Sequence, residues 1–395
     1  MQLSDRVQQV KPSPTLAVSA LSSKLKAEGR DIIGLGVGEP DFDTPAHVCE
    51  AAIKAIMEGK TRYTPVDGIA ELKQAVINKF QRENQLSYAA DEILVSTGAK
   101  QSIYNLTQAL LNEGDEVIIP APYWVSYPDM VMLAGGIPVI VEVGIDDHFK
   151  LSAEKLEAAI TPKTRLLMLN SPSNPTGVSY EREELVALGE VLLRHPEVMI
   201  MTDDIYEHVL FGDAEFVNIV NATPALRERC VVVNGVSKAY AMTGWRIGYA
   251  AGSKALIRAM KIVQMQSTSN PSSISQYASV AALEGDQQCI QTMIAAYERR
   301  HHFVLEAANS IAGMRCLPSN GTFYSFPNVE EMIKRIDGVS NDTELATLLL
   351  DKTGVALVPG SAFGLAGHIR ISFATSMANL EQAMERIASI ASHAI

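Results

Sequence analysis

The chain has 395 residues, of which 47% are hydrophobic and 20% charged, as is typical of a globular protein with two or three domains of about 150 residues. Its formal net charge of −12 argues against nucleic acid as a partner, because binding a phosphate backbone needs a basic surface. The spacing of the four cysteines does not match that of metal ligands. No apolar run reaches the ~20 residues that a membrane-spanning helix needs. The polar N-terminus is unlike a secretory signal. We therefore expect buried free thiols, no metal site, no membrane partner and a cytoplasmic location.

Residues 11–15 are predicted to be extended, within an N-terminal arm over residues 1–15. Pro12 and Pro14 each disfavour helix in the residue before them. A helical pattern follows over residues 16–27, and Gly29 is expected to end it.

The next segment combines a strand with several glycines. Residues 31–37 favour a strand that runs into a glycine-rich turn at Gly38. The glycine spacing does not match the GxGxxG dinucleotide fingerprint, and no helix begins directly after it. These glycines are instead expected to let a ligand approach the backbone closely. Two helices are predicted next, over residues 45–58 and 69–81.

From residue 93 onward, short apolar strands alternate with turns and helices. Several are continuous apolar runs bounded by turn residues, as expected for strands that are buried on both faces. Because helices separate most of them, we predict an α/β domain with a largely parallel sheet. The seven predicted strands cover residues 93–96, 116–119, 138–143, 165–169, 198–201, 230–233 and 247–250.

The C-terminal part of the chain changes character. A long helical region is predicted over residues 254–312, with a break at residues 270–271. After it, short strands alternate with helices, which indicates a smaller α+β domain. The strands are expected near residues 321–326, 355–358 and 368–373, and the helices near 342–352 and 378–392.

A lysine after the end of a predicted strand is a candidate for covalent catalysis. Ser237 and Lys238 lie on a loop after an apolar run, and Arg246 follows eight positions after the lysine. Burial disfavours the charged form of an amine, and a neutral amine is the nucleophile that forms a Schiff base with an aldehyde. The planar fork of arginine matches a phosphate. A lone lysine is more often a surface residue, but the pair is what pyridoxal phosphate (PLP) requires.

Other strand ends carry residues that suit the same cofactor. Ligands of open α/β sheets bind beyond the carboxyl ends of the strands. Gly98, Ala99 and Lys100 begin a helix whose free N–H groups can bind phosphate, although a simple helix cap is the commoner role. Trp124 can lie flat on a pyridine ring or be an ordinary core aromatic. Asn174 can donate to a phenolate oxygen, but a turn-forming asparagine is commoner.

Two carboxylates, Asp203 and Asp204, follow the strand predicted over residues 198–201. A carboxylate that faces the pyridine nitrogen keeps it protonated and makes the ring a better electron sink. Asp203 is the candidate, but spacing alone does not decide between the two. Tyr206 can hydrogen-bond the ring hydroxyl and lower the pKa of the Schiff base.

Taken together, these segments resemble the class I and II, fold-type I PLP-dependent aminotransferases, most closely the bacterial aspartate and aspartate/prephenate aminotransferases. The resemblance covers nearly the whole chain and implies a large PLP-binding domain plus a smaller α+β domain made from both chain ends. The segments that carry it are residues 38–45, 63–68, 122–127, 170–177, 237–248 and 368–376. The implied division is an arm (1–15), a small domain (16–45 and 301–395) and a large domain (46–300).

The resemblance implies a role for each candidate around the cofactor ring. Lys238 forms the Schiff base and moves the proton of transamination, while Asp203 rather than Asp204 pairs with the pyridine nitrogen. Tyr206 and Asn174 hold the ring hydroxyl, and the Trp124 ring stacks on the pyridine.

It likewise implies a set of phosphate contacts. The serine that the family often has three residues before the lysine is Gly235 here, so its hydroxyl is missing, and whether Ser237 replaces it is open. The implied phosphate ligands are backbone groups of Ala99 and Lys100, the side chain of Arg246, and Tyr63 of the partner subunit. Gly98 and Ser237 complete the set of residues implied to bind the cofactor.

For the substrate, the resemblance implies that Arg370 binds the α-carboxylate and that Gly38 meets it through its backbone, beside Trp124 and Asn174. Residues 264–270 lack the arginine that some aspartate aminotransferases use for the distal carboxylate. In the resembled subgroup, residues at the positions of Lys100 and Thr15 take its place. One lysine is a point charge rather than a fork, so we expect some tolerance of uncharged or aromatic side chains.

The predicted function is therefore ping-pong transfer of an amino group from L-aspartate to 2-oxoglutarate, in a homodimer with active sites at the subunit interface. Prephenate, aromatic or alanine aminotransfer and β-lyase chemistry are alternatives on the same fold. A PLP-binding regulator is disfavoured, because such proteins carry an N-terminal helix-turn-helix domain where this chain has a short arm. A nicotinamide oxidoreductase is disfavoured because the sequence lacks the dinucleotide-binding fingerprint.

Overall fold

The strands of the computed structural model, which describes residues 3–392, form three sheets. Seven strands make the largest sheet, and the other two sheets have two and three strands. The strands are β1 (Ile33–Gly34), β2 (Ile93–Ser96), β3 (Glu116–Ala121), β4 (Ile137–Glu142), β5 (Thr164–Asn170), β6 (Met199–Asp203), β7 (Cys230–Gly235), β8 (Gly248–Ala251), β9 (Tyr324–Ser325), β10 (Val355–Ala356), β11 (Val358–Pro359) and β12 (Ile369–Ser372).

The α-helices of the described residues pack around these sheets. None of them is both long and apolar enough to cross a membrane. They are α1 (Asp5–Gln9), α2 (Pro14–Ala27), α3 (Ala46–Met57), α4 (Ala70–Lys79), α5 (Ala99–Leu110), α6 (Ser126–Leu133), α7 (Ala153–Ala159), α8 (Arg182–Arg194), α9 (Ile219–Ala222), α10 (Lys254–Met265), α11 (Ser273–Glu284), α12 (Gln288–Ser310), α13 (Glu330–Arg335), α14 (Asp342–Thr353) and α15 (Met377–Ser392).

The large sheet confirms the predicted α/β fold. Its strand order is β2-β8-β7-β6-β5-β3-β4. Strand β8 pairs antiparallel with both neighbours, whereas the pairs among β3, β4, β5, β6 and β7 are parallel. The strand bounds differ from the predicted ones by two residues at most.

Both faces are buried in most strands of the large sheet, which explains why these strands are continuous apolar runs, whereas β4 at one edge is partly exposed. In β5, Leu166 and Met168 pack with α5, α6 and α10, while Leu167 and Leu169 pack with α3, α4, α8 and α11 on the opposite face. Successive side chains of a strand point to opposite faces, so a strand covered on both sides needs an apolar residue at every position.

A second hydrophobic core lies among elements from the two chain ends. Strand β1 pairs in parallel with β10, and Ile33 and Val355 are partners in that ladder. Strands β11, β12 and β9 form the antiparallel three-stranded sheet. This core includes Leu35, Tyr297 of α12 and Leu345 of α14. The pairing agrees with a small domain built from both ends, whose boundaries stay a prediction.

Residues 11–13 of the predicted extended segment lie outside any helix, but the prediction is wrong for residues 14 and 15, which belong to α2. Residues 5–9 form α1, and α2 begins at Pro14. Proline is favoured at the first helical position, because its missing N–H is not needed there and its φ already suits a helix. The proline that disfavours helix in Ser13 therefore starts one itself. Residues 1 and 2 lie outside the described residues.

Three smaller expectations also need correction. The strand predicted over residues 31–37 is only two residues long, because only that part finds a partner. The helical region after residue 254 breaks at residues 270–271 as predicted, and again between α11 and α12. The four cysteines are free, but only Cys230 and Cys316 are buried; Cys49 and Cys289 are partly exposed.

A buried ion pair connects the end of α4 to the loop after β6. Lys79 is fully buried and binds Glu207, which is 6% exposed. Asn84 accepts from Lys79 and donates to Glu207, each at 2.7 Å, and Asn234 of β7 donates to Glu207 at 2.8 Å. Burial works to raise the pKa of Glu207, but the charges of Lys79 and His208 outweigh it and the pKa is lowered. The cluster thus stabilises a negative charge in the interior.

Candidate active site

A cavity of about 400 Å³ lies where the carboxyl ends of the parallel strands meet. Its wall includes the segments that follow β2, β3, β5, β6 and β7. The register of the sheet sets Asn170 beside Asp203 and Asp203 beside Val233, so that these strand ends are neighbours. Residues from α2, β9 and β12 close the opposite side. The cavity therefore lies where open α/β sheets bind ligands.

The structure brings together all of the predicted site residues except Gly98 and Tyr63. Gly98 lies just behind the wall, against Arg246. Tyr63 is 92% exposed and does not line the cavity. The predicted residues that line it are Thr15, Gly38, Ala99, Lys100, Trp124, Asn174, Asp203, Tyr206, Ser237, Lys238, Arg246 and Arg370.

The Lys238 amine points into this cavity from the loop after β7. Its Nζ donates to the carbonyl of Gly38 at 2.7 Å and lies 5.8 Å from the centre of the Tyr206 ring. Burial lowers the pKa of Lys238 to about 8; the charge of Glu39 opposes this shift and that of Arg370 adds to it. An amine with such a pKa is partly neutral near pH 8, as a nucleophile must be.

The carboxylate of Asp203, at the end of β6, faces the cavity. Tyr127 donates to its Oδ2 at 2.7 Å, and the Ile205 N–H donates to its Oδ1 at 3.3 Å. Burial raises the pKa of Asp203 to about 6, and these hydrogen bonds oppose the rise. Asp204 does not line the cavity; it accepts from Asn218 instead. The structure thus places only the first of the two adjacent carboxylates at the site.

Arg370 is a buried cation, 2% exposed, on β12. Its Nη1 donates to Asn174 Oδ1 at 2.9 Å, and its Nη2 donates to the Gly36 carbonyl at 2.7 Å. The guanidinium lies 4.4 Å from the centre of the Tyr324 ring and 4.8 Å from that of Phe363. Among the described residues, its Nε has no hydrogen-bond partner and no carboxylate forms an ion pair with it. A buried cation in this state suits an anionic ligand.

The N-terminus of α5 and Arg246 form a second anion-binding corner. Gly98 precedes α5 with φ +80°, and a Cβ on it would lie 2.9 Å from Arg246 Cζ. Glycine is therefore required here both by conformation and by the closeness of the guanidinium. Ser237 lies on the same cavity wall, and Gly235 has no room for a side chain, since a Cβ would be 2.9 Å from the carbonyl of Ile247. Free N–H groups at a helix start, together with an arginine, suit a phosphate.

At the mouth of the cavity, Lys100 and Thr15 lie beside an aromatic ring. The Lys100 Nζ lies 4.8 Å over the Trp124 ring. Burial and the charge of Arg246 lower the pKa of Lys100. The Thr15 hydroxyl lies 2.9 Å from that of Ser13 at the start of α2. A cation, a hydroxyl and an aromatic face are thus available to a ligand that enters here.

Sequence reasoning missed roles for Asn170, Tyr127 and Tyr324. Asn170 donates to the Asp203 carbonyl and accepts from the Asn174 N–H, each at 2.8 Å. Its place at the end of β5 is the same signal that identified other site residues. Tyr324 comes from β9 and hydrogen-bonds Tyr206 at 3.1 Å between hydroxyl oxygens. Nothing in its local sequence marks this contact, because it depends on tertiary packing.

Comparisons with known proteins agree with this geometry. Residues 30–387 match the family model described as aminotransferase class I and II. The chain is 57% identical to an aspartate/prephenate aminotransferase of Nitrosomonas europaea, over 99% of this chain and 100% of the relative. It is 50% identical to an aspartate aminotransferase of Geobacillus stearothermophilus, over 98% of each.

Solved structures are equally similar. The aspartate aminotransferase of Rhizobium meliloti matches with a TM-score of 0.96 and 49% identity, over 99% of both chains. That of Thermus thermophilus with maleate matches with a TM-score of 0.93 and 44% identity, over 99% of this chain and 100% of the other. Both similarities extend across the entire cavity described above.

Proposed function

The chain belongs to the family of class I and II aminotransferases, and on that premise we propose that it is a PLP-dependent transaminase acting on L-aspartate and 2-oxoglutarate. The observation that carries the proposal is the convergence of Lys238, Asp203 and Arg370 on one cavity. Relatives that are half identical or more, named aspartate or aspartate/prephenate aminotransferases, support the same substrates.

The residues of the cavity fit this cofactor. The space beside Gly98 that a Cβ would fill holds the Arg246 guanidinium, next to the N-terminus of α5, and this corner would bind the phosphate. Asp203 would face the pyridine nitrogen, and Tyr206 and Asn174 line the wall that would hold the ring hydroxyl. When bound, PLP supplies an aldehyde carbon for the amine and a ring that withdraws electrons from the substrate.

Lys238 is the proton carrier of the proposed reaction. A pKa of about 8 would let its Nζ take a proton from the substrate Cα and release it to the cofactor carbon that carried the aldehyde, near neutral pH, which is the condition for general acid–base catalysis. Asp203 is a buried carboxylate held by Tyr127, so it provides a fixed negative charge for the ring nitrogen. Tyr127 and the Ile205 N–H orient that charge before a ligand arrives.

Arg370 binds and orients the substrate. Asn174 and the Gly36 carbonyl hold two of its nitrogens, so the guanidinium is fixed before the α-carboxylate arrives. We assign the distal carboxylate to Lys100 and Thr15, which both line the cavity mouth. Because Lys100, Thr15 and Arg370 line one cavity, they would favour substrates with two carboxylates.

Transfer to prephenate is the second candidate. Several relatives are named aspartate/prephenate aminotransferases. Prephenate carries one carboxylate on its ring and one on its 2-oxo acid side chain, and the apolar side chains Leu16 and Val37, which line the cavity, are 69% and 41% exposed. They would contact such a ring while Lys100 and Arg370 bind its carboxylates.

We further propose a homodimer in which Tyr63 of the partner subunit reaches the phosphate. Its exposed ring supports this proposal, since a tyrosine that is 92% exposed in one subunit is available to another. A homodimer would also explain why Tyr63, a predicted site residue, does not line the cavity of its own chain.

Replacing Lys238 by alanine tests the central proposal. We expect the purified variant to lose both the visible absorbance band of the covalently bound cofactor and the formation of oxaloacetate from L-aspartate. Borohydride reduction followed by mass spectrometry should locate the cofactor on Lys238 in the wild type. Lys261→Ala is the matched control, because that amine binds Asp67 outside the cavity. Retention of the band in Lys238→Ala would refute the assignment.

A further inference from the structure

Tyr206 and Tyr324 form a buried pair of phenols on the cavity wall. Their side chains are 3% and 0% exposed, their hydroxyl oxygens are 3.1 Å apart, and their rings meet edge to face at 6.0 Å. Burial raises the pKa of both, so each keeps its proton at neutral pH. The pair therefore holds two hydroxyl protons, and only one of them can lie between the two oxygens.

The surroundings of Tyr324 hold its hydroxyl in place. A Cβ on Gly38 would lie 2.5 Å from that oxygen, so the missing side chain of Gly38 is what leaves room for it. The Tyr324 ring lies 4.4 Å from the Arg370 guanidinium and 4.7 Å from the centre of the Phe323 ring. With a cation on its ring and backbone against its oxygen, Tyr324 cannot turn away from Tyr206.

The charge of Arg370 favours one direction for the shared proton. A cation over the ring draws electrons from the Tyr324 oxygen and strengthens it as a donor. Burial raises the pKa of both phenols and the charge of Arg370 lowers both. Arg370 is the second-largest influence on the pKa of Tyr324 but only the fourth on that of Tyr206, where Tyr324 itself raises the pKa further. Tyr324 is thus the more acidic phenol, and the more acidic partner donates. The proton of Tyr206 is then left to point elsewhere.

We propose that Tyr324 is a positioning residue, which donates to the Tyr206 oxygen and so directs the Tyr206 proton into the cavity. This inference rests on the proposed function, in which Tyr206 donates to the ring oxygen of PLP. That donation competes with the Lys238–cofactor linkage for the same oxygen, so it lowers the pKa of the linkage. Tyr324 acts on the cofactor through Tyr206 and needs no contact of its own.

The test is a pH titration of the visible absorbance of the PLP-loaded protein, without substrate. In Tyr324→Phe the apparent pKa should rise by about one pH unit, the effect that one neutral hydrogen bond can produce. The other ionisable groups that face Tyr206, namely Tyr127, Asp203, Lys238 and Arg370, are unchanged in this variant. Phenylalanine keeps the ring under Arg370, so the fold and the α-carboxylate site should survive.

A matched control removes a hydroxyl from the same core without touching the pair. The Tyr297 ring contacts Phe42 and Phe323 and is fully buried, and we expect Tyr297→Phe to titrate like the wild type. A general loosening of the core would instead shift both variants.

A double variant separates action through Tyr206 from independent action. Tyr206→Phe should raise the pKa more than Tyr324→Phe does, and adding Tyr324→Phe to it should change nothing further. If the apparent pKa of Tyr324→Phe equals that of the wild type, or if the shifts of the two single variants add in the double variant, this inference is wrong while the proposed function stands. A wild-type protein that forms no cofactor band would overturn the proposed function and this inference with it.

Discussion

Replacing Lys100 by methionine should separate dicarboxylic from aromatic amino donors. Methionine keeps most of the length and the apolar character of the lysine stem but lacks the charge that lies 4.8 Å over the Trp124 ring on the cavity wall. Two unit charges about 4 Å apart attract by about 4 kcal/mol at the effective dielectric near a protein surface. Removing the two charges from water offsets part of this attraction. The net contribution is then about 1.5–3 kcal/mol, as for a charge-assisted hydrogen bond. We therefore expect kcat/KM for L-aspartate to fall by about 10- to 150-fold.

The assay is the half-reaction with the amino donor alone, followed by the change in cofactor absorbance. This design keeps the dicarboxylic acceptor out of the measurement. L-Phenylalanine has no distal carboxylate, so its rate should change little in Lys100→Met. Thr15→Val, which removes only a hydroxyl, should produce a smaller loss for L-aspartate and none for L-phenylalanine. Equal losses for the two donors in Lys100→Met would remove Lys100 from recognition of the distal carboxylate.

The two remaining predictions concern stability and assembly. Lys79→Met should lower the free energy of unfolding by about 3–5 kcal/mol in urea, because it leaves the Glu207 carboxylate buried without its cation. The double variant Lys79→Met/Glu207→Gln should recover part of that loss, and an equal or larger loss would contradict this account. The wild-type protein should have the mass of a dimer in light scattering, and Tyr63→Phe should raise the dissociation constant for PLP about tenfold. A monomer of full cofactor affinity would contradict the assignment of Tyr63.

The sequence predicted the large sheet and much of the cavity because both follow from local pattern. Strands buried on both faces are apolar at every position, and parallel strands bring their carboxyl ends to one edge. Asp203 and Lys238 could therefore be expected near each other although 35 positions separate them in the chain. The structure then placed Asp203 rather than Asp204 at the cavity, a choice that spacing had left open.

Features that depend on tertiary contacts could not be predicted in this way. Tyr324 reaches Tyr206 only because β9 packs against the loop after β6, and no local signal marks that contact. The start of α2 was predicted two residues too late, because a proline disfavours helix before it and favours helix from itself onward. The role proposed for Tyr63 needs a second subunit, which a single chain does not contain. The cytoplasmic location stays a prediction.

The parallel pairing of β1 with β10 bears on how the protein is synthesised. Ile33 is synthesised long before its partner Val355. The seven strands of the large sheet are complete by residue 251, so this sheet can form before β1 has its partner. Arg370 is synthesised later still. A translation product that stopped short of β10 would thus contain Lys238, the proposed cofactor lysine, but lack Arg370, the proposed ligand of the α-carboxylate, and its unpaired β1 would be open to aggregation.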